Sequence, residues 1–290
     1  MRIAVIGARG QLGAAIVHEC SGRHDVVPFG RAELDITDDR AVALAIGRAA
    51  PQAIVNCAAY NDVDGAEDHP VQALNVNAFA VRAMARAAAA CGAALVHYGT
   101  DFVFDGTAAS PYTEEDRPNP RSAYAVSKLL GEWFAADAPR AYVLRVESLF
   151  GQAPGGPAAK GTVAGLVNAI AGGREAKVFD DRTVTPTHVA DAARATRELL
   201  ERSAPPGLYH CVSSGSCTWE QFAQEAARQL GAADARLTPV HMADVPMRAQ
   251  RPQYCALSNQ KLTSLGILMP FWQDALAAHI RTLALPRRDR

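Results

Sequence analysis

The 290-residue chain has no hydrophobic run long enough to span a bilayer, no block of like charge, no Cys-x-x-Cys pair and few aromatics. A membrane span needs about 20 consecutive apolar residues. With none present, and with Met1 running straight into an apolar strand and no leader pattern, a soluble, cytoplasmic protein with no membrane partner is expected. Phosphate-backbone recognition needs a dense basic surface, but 29 basic residues meet 30 acidic ones at a formal net charge of -1, which argues against a nucleic-acid partner. The short basic end Arg287, Arg288, Arg290 is broken by Asp289 and reads as a solvated tail. The cysteines Cys20, Cys57, Cys91, Cys211, Cys217 and Cys255 are far apart, as are His188, His210 and His241, so reduced thiols and no metal site are expected. What is present is 49% hydrophobic residues, enough for one large domain or two that share an interface.

Short aliphatic runs alternate with helical stretches. Arg2 to Ile6, Asp25 to Phe29, Gln52 to Asn56, Ala93 to Tyr98 and Ala141 to Val146 read as buried strands. Gln11 to Cys20, Asp39 to Ala49, Pro70 to Ala90 and Ser122 to Ala135 have helical length and period. This alternation predicts an α/β fold, a Rossmann-like doubly wound parallel sheet over residues 1–151. After Gly151 comes a Gly-, Pro- and Ala-rich loop, then shorter strands and helices near Thr162 to Ala171, His188 to Arg202, Thr218 to Leu230 and Phe271 to Thr282. A smaller C-terminal α/β substrate lobe is expected over 152–290, with parts of it returning to the first domain.

The first strand ends in Gly7-Ala8-Arg9-Gly10-Gln11-Leu12-Gly13, which opens directly into a helix. Glycines permit a tight turn whose N–H groups approach a pyrophosphate, and a helix N-terminus favours that charge. A ligand-free glycine turn is the plainer reading, but the strand-turn-helix context is the one the motif requires. At the end of the second strand stands Arg31, where an acid would grip a ribose 2'-OH; a guanidinium there suits a 2'-phosphate, so NADPH is expected over NADH. Arg9 offers a second positive contact, although both arginines also suit an ordinary surface. Asp35 either bounds the adenine pocket or caps the next helix, as Thr37 and Asp38 could too. The small residues Cys57, Ala58 and Ala59 before Tyr60 leave room for a flat cofactor, with Cys57 a packing residue rather than a redox centre.

Tyr124 and Lys128 lie four apart at the start of a helix and share one face. A free phenol has a pKa of about 10, and a neighbouring ammonium is expected to lower it and make Tyr124 a usable acid or base. Thr100 would hold the substrate oxygen beside it. Alone, Tyr-x-x-x-Lys also describes many accidental surface pairs.

Taken together, these segments resemble the extended short-chain dehydrogenase/reductases, and most closely the dTDP-4-dehydrorhamnose reductase family. The resemblance runs along nearly the whole chain, through Glu33-Leu34-Asp35-Ile36-Thr37, Asn56 to Tyr60, Val63 to Glu67, His97 to Gly106, Pro186-Thr187, Tyr209-His210, Arg251-Pro252 and Ala256 to Ser258. It implies Thr100, Tyr124 and Lys128 as the catalytic set and NADPH as hydride donor, with NADH as a second possibility. It also implies a nucleotide-linked 4-keto-6-deoxyhexose as substrate. By the same resemblance Ile36 and Asn75 join the cofactor site, while Asp101, Phe102, Val103, Arg182 and Arg251 line the sugar site. A homodimer is compatible with it, and it leaves magnesium undecided. The chain departs from the family pattern at Phe102 (usually Tyr), at Ser148 (usually Trp) and in the loop from Gln152 to Thr162, so the implied reaction class is firmer than the implied sugar.

Arg182 and Arg251 could instead tie the lobes together by salt bridges. Two other functions stand beside the reductase. A sugar-nucleotide dehydratase or epimerase on this fold would need, for dehydration, an acid–base pair after Thr100, and Asp101 is followed by Phe102. An NADP-binding regulatory subunit like that of methionine adenosyltransferase would have no need for the complete Thr100, Tyr124, Lys128 set.

Overall fold

A parallel sheet with an apolar residue at almost every position must be covered on both faces, and the computed structural model, which describes residues 1–283, shows how that is met. In chain order the first half is β1 (Arg2–Ile6), α1 (Gln11–Cys20), β2 (Asp25–Phe29), α2 (Asp39–Ala49), β3 (Ala53–Asn56), α3 (Gly65–Asp68), α4 (Pro70–Leu74), α5 (Ala80–Cys91), β4 (Ala94–Thr100), α6 (Ala123–Ala135) and β5 (Ala141–Val146). The second half is β6 (Leu149–Phe150), α7 (Thr162–Ala171), β7 (Ala176–Phe179), β8 (Thr183–Val184), β9 (Thr187–His188), α8 (Val189–Glu201), β10 (Gly207–His210), β11 (Cys217–Thr218), α9 (Trp219–Gln229), β12 (Leu237–Val240), α10 (Gln260–Ser264) and α11 (Trp272–Thr282). The basic end beyond 283 lies outside the described residues.

The main sheet has six strands in the order β10-β5-β4-β3-β1-β2, all pairs parallel. Side chains alternate across it. Ile3, Val5, Val55 and Val96 belong to the core that α1 and α8 cover; Ala4, Ile6, Ile54 and Leu95 belong to the one that α2 and α5 cover. The strand order reverses between β1 and β3, so their carboxyl ends open a crevice, the usual ligand site of such sheets. The sixth strand, β10, comes from far along the chain, and α8 just before it packs on α1. A separate core of Phe150, Leu166, Trp219, Phe222, Trp272 and Leu276 holds the rest of the second half together.

One expectation is corrected here. The stretch Pro70 to Ala90 is not one regular helix: a π-helical turn at Asn75–Phe79 separates α4 from α5. The extra residue turns Asn77 inward, where its Oδ1 accepts the Tyr60 N–H (2.8 Å) and its Nδ2 donates to the Tyr60 carbonyl and to Ser127 Oγ (3.0 Å each). Such bulges recur where a side chain must be aimed.

Burial also governs the charges. Arg145 on β5 and Glu132 on α6 form a bidentate pair at 2.8–3.2 Å, almost wholly shielded from water, with the guanidinium over the Phe104 ring. Removing one partner leaves the other charge buried alone, which costs about 3–5 kcal/mol. Glu132→Ala is expected to lose that much in urea unfolding; a loss under about 1 kcal/mol would show that water reaches the pair.

Candidate active site

The glycine turn is fixed from both sides. Gly7 has a positive φ of 75°, its N–H bonds to the Phe29 carbonyl at 2.8 Å, and a Cβ there would come within 2.7 Å of the Ala58 nitrogen. Gly13 sits beneath the turn, where a side chain would run into the Gly7 carbonyl. It is therefore a packing position rather than a wall of the crevice. Helix α1 starts at Gly10 with no side-chain cap and no acid in its first turn, leaving its first N–H groups free to meet an anion.

A cavity of about 630 Å³ runs from this turn along the ends of β2 and β3. Gly7, Arg9, Gly10, Arg31, Asp35, Ile36, Cys57, Ala58, Ala59, Tyr60 and Asn75 line it. Asp35 closes a turn by accepting the Thr37 N–H and hydroxyl, while Asp38 caps α2 by accepting from Arg40 and Ala41 N–H. Arg9 forms an ion pair with Glu33, whose other oxygen accepts the Gly30 N–H (2.9 Å), and this leaves Arg31 as the less committed cation at that end.

A second cavity of about 480 Å³ continues from the first, sharing Gly10, Cys57, Ala59 and Asn61. Gln11, Leu12, Thr100, Asp101, Phe102, Tyr124, Lys128, Arg182 and Arg251 line it. Thr100 ends β4, and its hydroxyl donates to Asp101 Oδ1 at 3.0 Å and faces the Tyr124 phenol. Ser122 caps α6 through the Ala125 N–H, and Glu67 takes the Ala123 N–H at 2.7 Å. Those two contacts set the helix start that carries Tyr124. The Phe102 ring meets Tyr124 edge-on at 5.6 Å and lies under the Arg182 guanidinium at 5.5 Å.

The electrostatics depart from expectation. Burial, then the negative charge of Asp101, pushes the Tyr124 phenol above its ordinary value instead of below it. Lys128 donates to the Tyr98 carbonyl at 2.6 Å, and burial lowers its pKa to about 8. The ammonium is anchored on β4, and it does not acidify Tyr124. A high phenol pKa keeps the hydroxyl protonated, the form that donates a proton.

One other assignment changes, and Arg251 shows the alternative left open for it. Val103 is fully buried with Phe104, Tyr112 and Leu129, because the 3₁₀ turn at Asp101–Val103 rotates it into the interior; it does not reach the sugar side. Arg251 makes a bidentate pair with Asp64 at 2.7 and 3.0 Å, tying the second half to the loop before α3, while still bordering the cavity. Arg248 and Asp68 form a neighbouring ion pair.

The structure also adds residues to this wall. Trp219 and Ser148 line the second cavity, and Ser148 holds a left-handed φ of 45°, uncommon outside glycine and a mark of functional sites. Glu147 lies just behind the wall, buried. Its signal in the sequence is an acid directly after the strand AYVLRV.

Comparison with known proteins agrees along the whole chain. A family model described as the RmlD substrate binding domain matches residues 1–285. A dTDP-4-dehydrorhamnose reductase of Streptomyces griseus is 35% identical, covering 95% of this chain and 91% of the relative. A probable dTDP-4,6-dihydroxy-2-methyloxan-3-one 4-ketoreductase of Streptomyces antibioticus is 34% identical, covering 95% and 93%. The crystal structure of a dTDP-4-dehydrorhamnose reductase from Bacillus anthracis in complex with NADP superimposes with a TM-score of 0.90 at 30% identity, covering 97% of this chain and 99% of that one.

Arg251 holds the Asp64 carboxyl below its usual range, so the pair's contribution is present at neutral pH and is lost as pH falls through that lowered value. A double-mutant cycle of Asp64→Ala and Arg251→Ala should give a coupling of about 0.5–1 kcal/mol at pH 7, the half-exposed carboxylate keeping it small. Coupling should vanish in acid; coupling that persists there would contradict an ion pair.

Proposed function

We propose an activity on one premise: the chain belongs to the RmlD substrate binding domain family. The activity is NADPH-dependent reduction of the 4-keto group of a nucleotide-linked 4-keto-6-deoxyhexose, with dTDP-4-dehydro-L-rhamnose going to dTDP-L-rhamnose. The observation that carries this reading is the meeting of Thr100, Tyr124 and Lys128 on one cavity wall that continues into the glycine turn. The setting is the cytoplasm. The assembly is a homodimer, for which the exposed Val126 and Trp133, seven residues apart on α6, offer apolar surface.

The residues present fit a dinucleotide. The uncapped start of α1 and the side-chain-free approach at Gly7 suit a pyrophosphate, and Arg31 suits a 2'-phosphate. Bound there, the reduced nicotinamide supplies a hydride. Thr100 holds the carbonyl oxygen of the sugar against the Tyr124 hydroxyl, and Tyr124 donates the proton that the oxygen needs as negative charge develops on it. Lys128, fixed on the Tyr98 carbonyl, offers its remaining N–H groups to the ribose of the cofactor. Arg182 and Arg251 flank the sugar side and can meet a diphosphate. The Streptomyces antibioticus relative, a probable 4-ketoreductase named for a different sugar, keeps a second hexose in view. Assay of NADPH oxidation against a panel of nucleotide-linked 4-keto sugars tests the proposal; no turnover with any of them would overturn it and favour a regulatory, binding-only role.

Three outcomes follow from the site. Tyr124→Phe removes only the proton donor, so kcat should fall about 10²- to 10⁴-fold while NADPH affinity by calorimetry is retained; full activity would contradict the role. Arg31→Ala should weaken NADPH about ten-fold and leave NADH unchanged, which direct titration with both cofactors decides. Because burial places the Lys128 pKa at about 8, the charge facing the cofactor is present below that pH and lost above it. NADPH affinity should decline as pH rises through about 8 in the wild type and stay flat in Lys128→Met.

A further inference from the structure

β5 and the residue after it carry two charged side chains into an apolar interior, and among the described residues only Arg145 has an ion-pair partner. Arg145 is matched by Glu132; Glu147, just past the end of the strand, is not. Its Oε2 accepts the Thr185 N–H at 2.8 Å, and its Oε1 is buried with no hydrogen-bond partner among the described residues. Asp101, just past the end of the neighbouring β4, is buried too: Oδ1 accepts from Thr100, and Oδ2 has no hydrogen-bond partner among the described residues. One oxygen from each carboxyl and the Cys255 sulfur lie within 4.8 Å of one another.

Two carboxylates this close, shielded from water, do not both stay ionised, because desolvation and mutual repulsion each favour a proton on one of them. Arg182 is the cation facing both, and it balances a single negative charge. Its guanidinium also opposes a metal ion in this cluster. The other groups facing the pair are the Cys255 thiol, the Tyr254 phenol and the Cys217 thiol on the Glu147 side, with Thr100 and Tyr124 on the Asp101 side. Burial raises each of these thiols and phenols above its ordinary value, so all are neutral near pH 7.

We infer that Asp101 and Glu147 share one proton, and that this pair is the reserve that reloads Tyr124 through the Thr100 hydroxyl. The inference rests on the reductase reading. Once Tyr124 has given its proton to the sugar oxygen, the phenolate takes the Thr100 hydrogen. Thr100 takes the shared proton from Asp101, to which Glu147 passes it whenever Glu147 holds it. Each hop breaks one O–H bond and forms another, with no change of oxidation state. The pair, then doubly ionised beside Arg182, recovers its proton from water in the cavity that Asp101 lines. Glu147 does not border that cavity, so it acts through Asp101 as a positioning and proton-holding residue, not as a base on the substrate.

Infrared spectroscopy and pH profiles test this together. The wild type near neutral pH should show the C=O stretch of a buried, protonated carboxylic acid, shifted in D₂O and lost in Glu147→Gln. Its kcat should decline at alkaline pH as the pair gives up the shared proton. In Glu147→Gln that decline should disappear, with kcat reduced about ten-fold or more and the sugar KM unchanged. Glu147→Asp should restore it and move the infrared band, and it carries the test should the Gln variant not fold. A wild type without the band, or a Glu147→Gln profile that superimposes on wild type, overturns the inference. A wild type that reduces no keto sugar overturns the reductase reading and the relay with it, while the infrared band still decides the shared proton.

Discussion

Desolvation at the carboxyl edge of the sheet is the constraint from which the rest of the structure follows. Strands β3, β4 and β5 end side by side, and the polar groups at those ends are sealed from water by α6 and the second half of the chain. Most of them therefore find a partner inside. Asn56 meets His97 at 3.1 Å, Lys128 meets the Tyr98 carbonyl, and Arg145 meets Glu132. An unpaired buried polar group costs about 1–3 kcal/mol, so this layer fixes the relative positions of the strands and of α6 more tightly than apolar packing alone would. The side chains proposed to act on the substrate, Thr100, Tyr124 and Lys128, sit in that layer and share its rigidity.

The same burial sets the chemistry. In water the Tyr124 phenol and the Lys128 ammonium would hold their ordinary pKa values; here the phenol moves up and the ammonium moves down to about 8. A donor kept protonated beside a cation poised to titrate suits a site that delivers one proton per turnover. The π-helical turn serves this arrangement at one remove, since Asn77 joins the Tyr60 backbone to Ser127, one residue before Lys128.

Much of this was legible in the chain. The first strand, turn and helix carry their own local signals, aliphatic run, Gly7 to Gly13 and the α1 period, and the structure shows those elements at those residues. The fold class followed from the strand-helix alternation, and the convergence of Thr100 with Tyr124 was suggested by parallel topology. What could not be read were features that depend on distant partners. The alanine-rich stretch from Pro70 to Ala90 is helical by propensity whether or not a π turn interrupts it. Glu147 and Asp101 are 46 positions apart, and only the register of β4 with β5 makes them neighbours. Val103 read as a site residue by its place in the motif, but a tight 3₁₀ turn directs it inward. Spacing on a helix records the proximity of Tyr124 to Lys128 and says nothing of the burial that raises the phenol pKa.

The central claim is that this buried edge performs a carbonyl reduction at a sugar C4, with the hydride and the proton arriving from opposite sources. The most direct measurement uses NADPH deuterated at the transferring position of its nicotinamide and dTDP-4-dehydro-L-rhamnose, with the product read by NMR and mass spectrometry. Deuterium is expected on C4 of the sugar, with the hydroxyl proton derived from solvent. Recovery of the keto sugar without label, in a protein that binds NADPH, would contradict the account.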